Sequence, residues 1–222
     1  MRVTTNVIFN SLLNDLNANR EGLAVAQRKL ATGKDVSKPS EGPTEFNKAR
    51  LLEEVNAREG QYQDNIRLAI VQSRTVQNSM DGFITTLNQI KTKTVQAANE
   101  GVMSDQELEI IARDIQTAKE TLQTIANTKV LGRFMFAGSK TETQPFTQDE
   151  NGVVQYNGNN EQLNLQVSDF ESVPITVPGS QLTSLFETVQ QLEDALKNRD
   201  TEAIRNSIDS IDERFDDVTI IA

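Results

Sequence analysis

The chain has no cysteine, no histidine and no tryptophan, and only two tyrosines, Tyr62 and Tyr156, in 222 residues. Without thiols there can be no disulfide framework and no thiolate zinc site, so nothing in the sequence reports a redox compartment. Without imidazoles, serine–histidine–aspartate triads, cysteine–histidine pairs and histidine-ligated metals are excluded together. Carboxylates are the one abundant group with catalytic chemistry, 32 Asp and Glu in all. Pairs such as Glu53/Glu54, Glu107/Glu109 and Asp216/Asp217 fall off the apolar stripes of helical patterns and read as solvated faces. No catalytic residue, cofactor or metal is expected.

Aromatic residues make up 5% of the chain, which suits elongated helices joined through thin Leu, Ile, Val and Ala seams. A net charge of −10, with no clustered Lys and Arg, leaves little attraction for nucleic acid or an anionic membrane, and neither is an expected partner. No window approaches the ~18 apolar residues of a membrane span. The start, Met1-Arg2-Val3-Thr4-Thr5-Asn6 followed by Val7, Ile8 and Phe9, lacks the apolar core and cleavage site of a secretory signal. By these features the chain reads as cytosolic, unless export leaves the N-terminus uncut.

What the chain does have is periodicity. Phe9, Leu12, Leu16, Asn19, Leu23, Ala26 and Leu30 follow alternating steps of three and four, the seam of a coiled coil, and predict a helix over about 5–32. Asn19 is the polar member that can fix register. A lone stripe cannot bury itself, so partner helices are required. Thr32 to Pro43, with Gly33, Pro39 and Gly42, reads as a connector. From Thr44 to about Asn99 the spacing resumes through Leu52, Val55, Tyr62, Ile66, Ala69, Val76, Met80, Phe83, Leu87, Ile90 and Ala97. It predicts one long helix weakened at Gly60 and Gly82 and ended by Asn99-Glu100-Gly101. Ser104 and Glu107 have the form of a capping box. A third helix follows, with Leu108, Ile111, Ile115, Ala118, Leu122 and Ile125 on one face and Leu131-Gly132 as its close.

From Arg133 to Gly179 the period changes to two. Phe134/Phe136, Leu163/Leu165/Val167 and Val173/Ile175/Val177 alternate as strands do. Asn151-Gly152 and Asn157-Gly158 carry turn chemistry and read as exposed turns tolerant of change. Pro174 and Pro178 confine the last strand to an edge. Helical spacing returns with Leu185, Val189, Leu192 and Leu196, and again with Ile204, Ile208, Ile211, Phe215 and Val218, with Asp200 or Thr201 as the cap between. The end, Ile220-Ile221-Ala222, carries no capping residue, and a natural C-terminus further on is expected. The architecture expected is mainly α: a long antiparallel helical bundle or coiled coil with a small β-rich domain inserted between the third and fourth helices. Its parts are 1–43, an N-terminal core helix and connector; 44–132 plus 181–222, a helical rod; and 133–180, the β-rich insertion.

Two short motifs carry little. Thr32-Gly33-Lys34 lacks the earlier glycine and the preceding strand of a phosphate loop. Asp149-Glu150-Asn151-Gly152 lacks the alternating ligands of a calcium loop and reads as a β-turn.

Three stretches taken in order resemble a known family: the N-terminal helix from Met1 through Leu12, Leu13 and Leu23; the run Gln27-Arg28-Lys29-Leu30-Ala31-Thr32-Gly33-Lys34 with Pro39-Ser40-Glu41-Gly42-Pro43; and Gly132-Arg133-Phe134-Met135-Phe136-Ala137-Gly138-Ser139-Lys140-Thr141 leading to Pro145-Phe146. Together they are similar to the hook-associated protein 3 family, the hook–filament junction members of the flagellin-like proteins. The resemblance implies a structural, non-enzymatic part of the bacterial flagellum. Its chain ends would form a helical core, its middle helices an outer domain, and a β-rich part would lie outermost. It further implies hook-associated protein 1 and flagellin as partners, self-association in a junction ring, a flagellar export chaperone, and an extracellular location reached through type III export without signal cleavage. Phe9, Leu12, Leu16, Leu23 and Leu30 are then the expected assembly interface, and residues 1–40 should be mobile or held by a neighbour. Two other readings stay open: a flagellin filament subunit, which shares the terminal helices, and a cytosolic coiled-coil adaptor, which leaves the β insertion unexplained.

Overall fold

A computed structural model describes residues 2–99, 104–150 and 152–221, with side chains from residue 6 to residue 220. Its helices are α1 (Arg2–Thr32), α2 (Pro43–Ala98), α3 (Asp105–Ala126), α4 (Thr183–Asn198) and α5 (Thr201–Ile221). Between α3 and α4 come six short strands: β1 (Lys129–Val130), β2 (Arg133–Phe134), β3 (Phe146–Gln148), β4 (Val154–Tyr156), β5 (Asn164–Gln166) and β6 (Ser172–Pro174). They form three antiparallel pairs, β1–β2, β3–β4 and β5–β6. The chain is mainly helical with a small β region after the third helix, as the periodicity predicts. It resolves into two compact units, Met1–Gln61 and Tyr62–Ala222, each of which has its own physics.

In the first unit α1 ends where Gly33 adopts a left-handed conformation (φ 66°). The Gly33 N–H donates to the Lys29 carbonyl at 2.8 Å, the bond that closes a helix through glycine. Thr32-Gly33-Lys34 is therefore a helix C-terminus, opposite in polarity to a phosphate cradle. The connector is ordered by charge. Arg28 Nη1 meets Glu41 Oε1 at 2.5 Å, Lys29 Nζ meets Asp35 Oδ1 at 2.6 Å, and Lys34 Nζ meets Glu53 Oε1 at 3.0 Å. Glu41 also accepts from the Ser37 N–H at 3.0 Å. That backbone donor, with Arg28 beside it, holds the Glu41 carboxyl below its ordinary range despite some desolvation.

In the second unit α2 from Tyr62 onward, α3, α4 and α5 run antiparallel in sequence. Lys93–Asp114 (2.6 Å) ties α2 to α3, Arg199–Asp105 (3.0 Å) ties the end of α4 to the start of α3, and Lys91–Asp212 (2.5 Å) ties α2 to α5. The core is the set of apolar stripes: Met80, Phe83, Leu87 and Ile90 from α2, Ile111, Ile115 and Leu122 from α3, Leu185, Val189, Leu192 and Leu196 from α4, and Ile204, Ile211 and Val218 from α5. Gly82 lets α2 and α3 approach, since a β-carbon there would stand 3.1 Å from Ile125 Cδ1. α3 starts with the capping box: Ser104 Oγ accepts from the Glu107 N–H at 3.4 Å, and Glu107 Oε2 accepts from the Ser104 N–H at 2.6 Å. The carboxyl of Glu107 is held low by that backbone donor and by the Ser104 hydroxyl. Asp200 caps α5 by accepting from the Ala203 N–H at 3.0 Å.

The β region has no separate core. Phe136 meets Phe83 of α2 edge-on at 6.1 Å, and Phe146 stacks at 5.0 Å on Phe186 of α4 and at 5.2 Å on Tyr156. Gly179 permits this closure: a β-carbon there would stand 2.4 Å from the Phe136 carbonyl oxygen.

Three sequence expectations need correction. α3 stops at Ala126, and Leu131-Gly132 is the two-residue turn of the β1–β2 hairpin, with φ of 50° and 81°. Positive φ at both positions is the mark of a type I′ turn, and Leu pays roughly 1–2 kcal/mol there because its Cβ crowds the carbonyl. Secondly, Val173, Ile175 and Val177 do not share one strand. β6 ends at Pro174, and Val177 then pairs by its N–H with the Met135 carbonyl at 3.0 Å. Thirdly, Asn157-Gly158 is no free turn. A β-carbon on Gly158 would fall 2.3 Å from the Tyr156 hydroxyl, whose O–H donates to the Asn159 carbonyl and whose oxygen accepts from the Gly179 N–H. Gly152 is left-handed (φ 79°) in the β3–β4 loop. Asn151, and the helix end expected at Glu100-Gly101, lie outside the described residues, as does Ala222.

Candidate assembly interface

Phe9, Leu12, Leu16, Leu23 and Leu30 share one face of α1 because steps of three and four return to the same side of a helix. All five are exposed, from 45% at Leu16 to 85% at Leu30. Val7, Ile8 and Leu13 widen the stripe. Asn19 and Ala26 are exposed within it. At roughly 25 cal/mol per Å², an apolar strip of this length held in water leaves a large unrealised gain from burial, and contiguous exposed apolar surface marks an interaction site. The helix has little else to hold it, since propensity alone leaves isolated helices marginal.

The same unit contains an open groove of about 1080 Å³ between the connector and the first turns of α2. Val36 and Phe46 line it half-buried, and Leu52 lines it exposed. Four carboxylates, Asp35, Glu45, Glu53 and Glu54, stand around it against two cations, Lys34 and Arg50. The Asp35 carboxyl lies below its usual range because Lys29 donates to it. Phe46 and the acidic border escaped the sequence reading, because a groove forms only when the connector folds back along α2. The spacing of Phe46, Ala49 and Glu53 on one face was its only sequence signal.

Among its described residues, the second unit holds a buried ion pair away from water. Lys119 of α3 is 2% exposed and Glu193 of α4 3%. Lys119 Nζ meets Glu193 Oε2 at 2.5 Å and Gln190 Oε1 at 2.8 Å, and Lys197 Nζ meets Glu193 Oε1 at 2.5 Å. Burial alone pushes the Glu193 carboxyl up, but the two lysines outweigh it and the net displacement is downward. This is a paired, hydrogen-bonded cluster inside a helical seam. Among the described residues no group of three or more acidic side chains is placed to hold a metal ion, and no helix is long and apolar enough to cross a membrane. The acidic pairs Glu53/Glu54 and Glu107/Glu109 are exposed.

Known proteins resemble this chain over most of its length. Residues 3–141 match the family described as the bacterial flagellin N-terminal helical region. Flagellar hook-associated protein 3 of Salmonella typhimurium is 29% identical over 184 residues, covering 82% of this chain and 56% of that protein. Flagellin B of Helicobacter pylori is 34% identical over 122 residues, covering 54% of this chain and 24% of that protein. The crystal structure of Bacillus cereus FlgL aligns with a TM-score of 0.66 at 25% identity, covering 78% of this chain and 85% of that one. The chain spans about half the length of the curated hook-associated relative it matches. With the family match extending over more than half of its residues, the chain belongs to the bacterial flagellin N-terminal helical region family.

Proposed function

We propose that this chain is a structural, non-catalytic subunit of the bacterial flagellum that joins hook to filament by helix–helix assembly. The observation that carries the proposal is the exposed stripe Phe9, Leu12, Leu16, Leu23 and Leu30, a seam built for partner helices, where α3, α4, α5 and α2 from Met80 to Ile90 bury theirs. The relatives named hook-associated protein 3 support the junction over other flagellar positions. On this reading its neighbours are hook-associated protein 1 on one side and flagellin on the other, with further copies of itself in a ring and an export chaperone before assembly. Its place is outside the cell, reached without signal cleavage. We divide the labour as residues 1–43 for assembly, 44–132 plus 181–222 as a helical rod, and 133–180 as a β-rich part.

Deletion of the gene tests this, with electron microscopy of the cells and assay of flagellin in the medium. The junction role predicts hooks without filaments and flagellin shed as monomers. Intact flagella would refute it. The 34% match to Flagellin B favours a filament subunit as the second reading, and that reading predicts bare hooks with no flagellin in the medium.

A further inference from the structure

Taking the chain to self-associate, as proposed above, we propose that the β1–β2 hairpin tip of one copy seats Leu131 in the acidic groove between connector and α2 of the next copy. The tip is an apolar knob between cations. Leu131 is 83% exposed, and Lys129 and Arg133 on either side are exposed as well. The β1–β2 register aligns Val130 with Arg133 and Lys129 with Phe134, whose ring Lys129 Nζ overlies at 4.2 Å, so both cations are carried on short paired strands rather than on a loose loop. Leu131 holds a positive φ (50°), in a turn that Asn-Gly makes without strain. At 83% exposed, its side chain is little packed by the described residues, and a strained residue kept in the open points to a use outside the chain.

The groove is the complement. It offers Val36, Phe46 and Leu52 to an apolar side chain, and an acidic border to the flanking cations: Glu45 and Glu54, with Glu53 already meeting Lys34 and with Arg50 beside them. Charge decides between the candidate knobs. Phe170, at the β5–β6 tip, is fully exposed, but Asp169 and Glu171 flank it, and acidic neighbours oppose an acidic groove. Knob and groove belong to different parts of the chain. The contact can therefore repeat head to tail from copy to copy, as in a ring or a helix, and a cross-linked ladder beyond the dimer distinguishes that form from a reciprocal pair.

The native chain has no cysteine, so introduced thiols report cleanly. The parent bacterium is made to carry Ala49→Cys/Leu131→Cys in place of the native chain, and isolated flagella are treated with a short thiol cross-linker. The contact predicts filaments in which this chain runs as a ladder of multimers. Lys129→Glu/Arg133→Glu should cut the multimer yield at least ~10-fold, and Glu45→Lys/Glu53→Lys/Glu54→Lys added to it should recover the yield. Filaments with only monomers overturn the contact and leave the junction role standing. So do dimers from either single-cysteine chain alone, an equal ladder from Phe170→Cys with Ala49→Cys, or cross-linking to flagellin instead of to itself. If the double variant yields no filaments, the pairing is read on the purified full chain at high concentration by mixing the two single variants. A 49–131 product supports the contact, and its absence overturns it. Failure of the junction role shows separately, as intact flagella in the deletion strain.

Discussion

Met80, Phe83, Leu87 and Ile90 on α2 and Phe9, Leu12, Leu16 and Leu23 on α1 follow the same kind of spacing. The first four are fully buried, and the second four stand in water. Spacing defines a seam, but only a partner buries one. In the second unit the partners come from the chain itself, because α3, α4 and α5 pack their stripes against α2 and one another. In the first unit charge pairs order the connector, and the long apolar face stays open. One unit buries its stripes by its own packing, and the other, on the function proposed above, is completed by assembly.

The largest effect that can break this comparison is in the buried core. Phe83→Ala, which removes the edge-on contact with Phe136, should cost about 3–5 kcal/mol in urea unfolding of the full chain. Leu23→Asp should change that stability by no more than ~0.5 kcal/mol, yet abolish incorporation into flagella. If both substitutions destabilised the free chain alike, the distinction between the units would be lost.

Next comes the buried pair. Lys119→Ala leaves Glu193 buried with Lys197 alone and should cost ~3 kcal/mol. The Glu193 carboxyl is displaced downward in the folded chain from an ordinary 4.5. Its contribution is therefore complete above that value and is lost as pH falls toward the folded value. Glu193→Gln should flatten this part of the acid loss in urea midpoints measured from pH 7 to pH 3.

Glycines sharpen the contrast at smaller scale. Gly158→Ala meets the Tyr156 ring and should destabilise by roughly 1–3 kcal/mol. Gly60→Ala, with nothing within 4 Å of the added carbon, should stabilise α2 by about 0.5–1 kcal/mol. Thermal melts of the two variants should move in opposite directions.

The helices were readable from the sequence because each apolar stripe repeats over several turns, and so was the α1 face. The capping box at Ser104 and Glu107 was readable because it needs only four consecutive residues. What escaped depended on distant packing. Leu131-Gly132 reads as a helix stop until β1 and β2 pair. Lys119 and Glu193 were not singled out, although Lys119 follows Ile115 by four and precedes Leu122 by three. That places it at the border of the α3 stripe, where α4 covers it. Gly158 reads as a turn until Tyr156 folds over it.

Hydrogen exchange on the full chain, proven monomeric by sedimentation, tests the central claim most directly. Amides of α3 and α4 and of α2 from Met80 to Ile90 should be strongly protected, whereas residues 7–30 of α1 should exchange fast in the monomer and become protected in isolated flagella. Strong protection across residues 7–30 in the monomer would contradict the account, because it would show that α1 needs no neighbour to complete it.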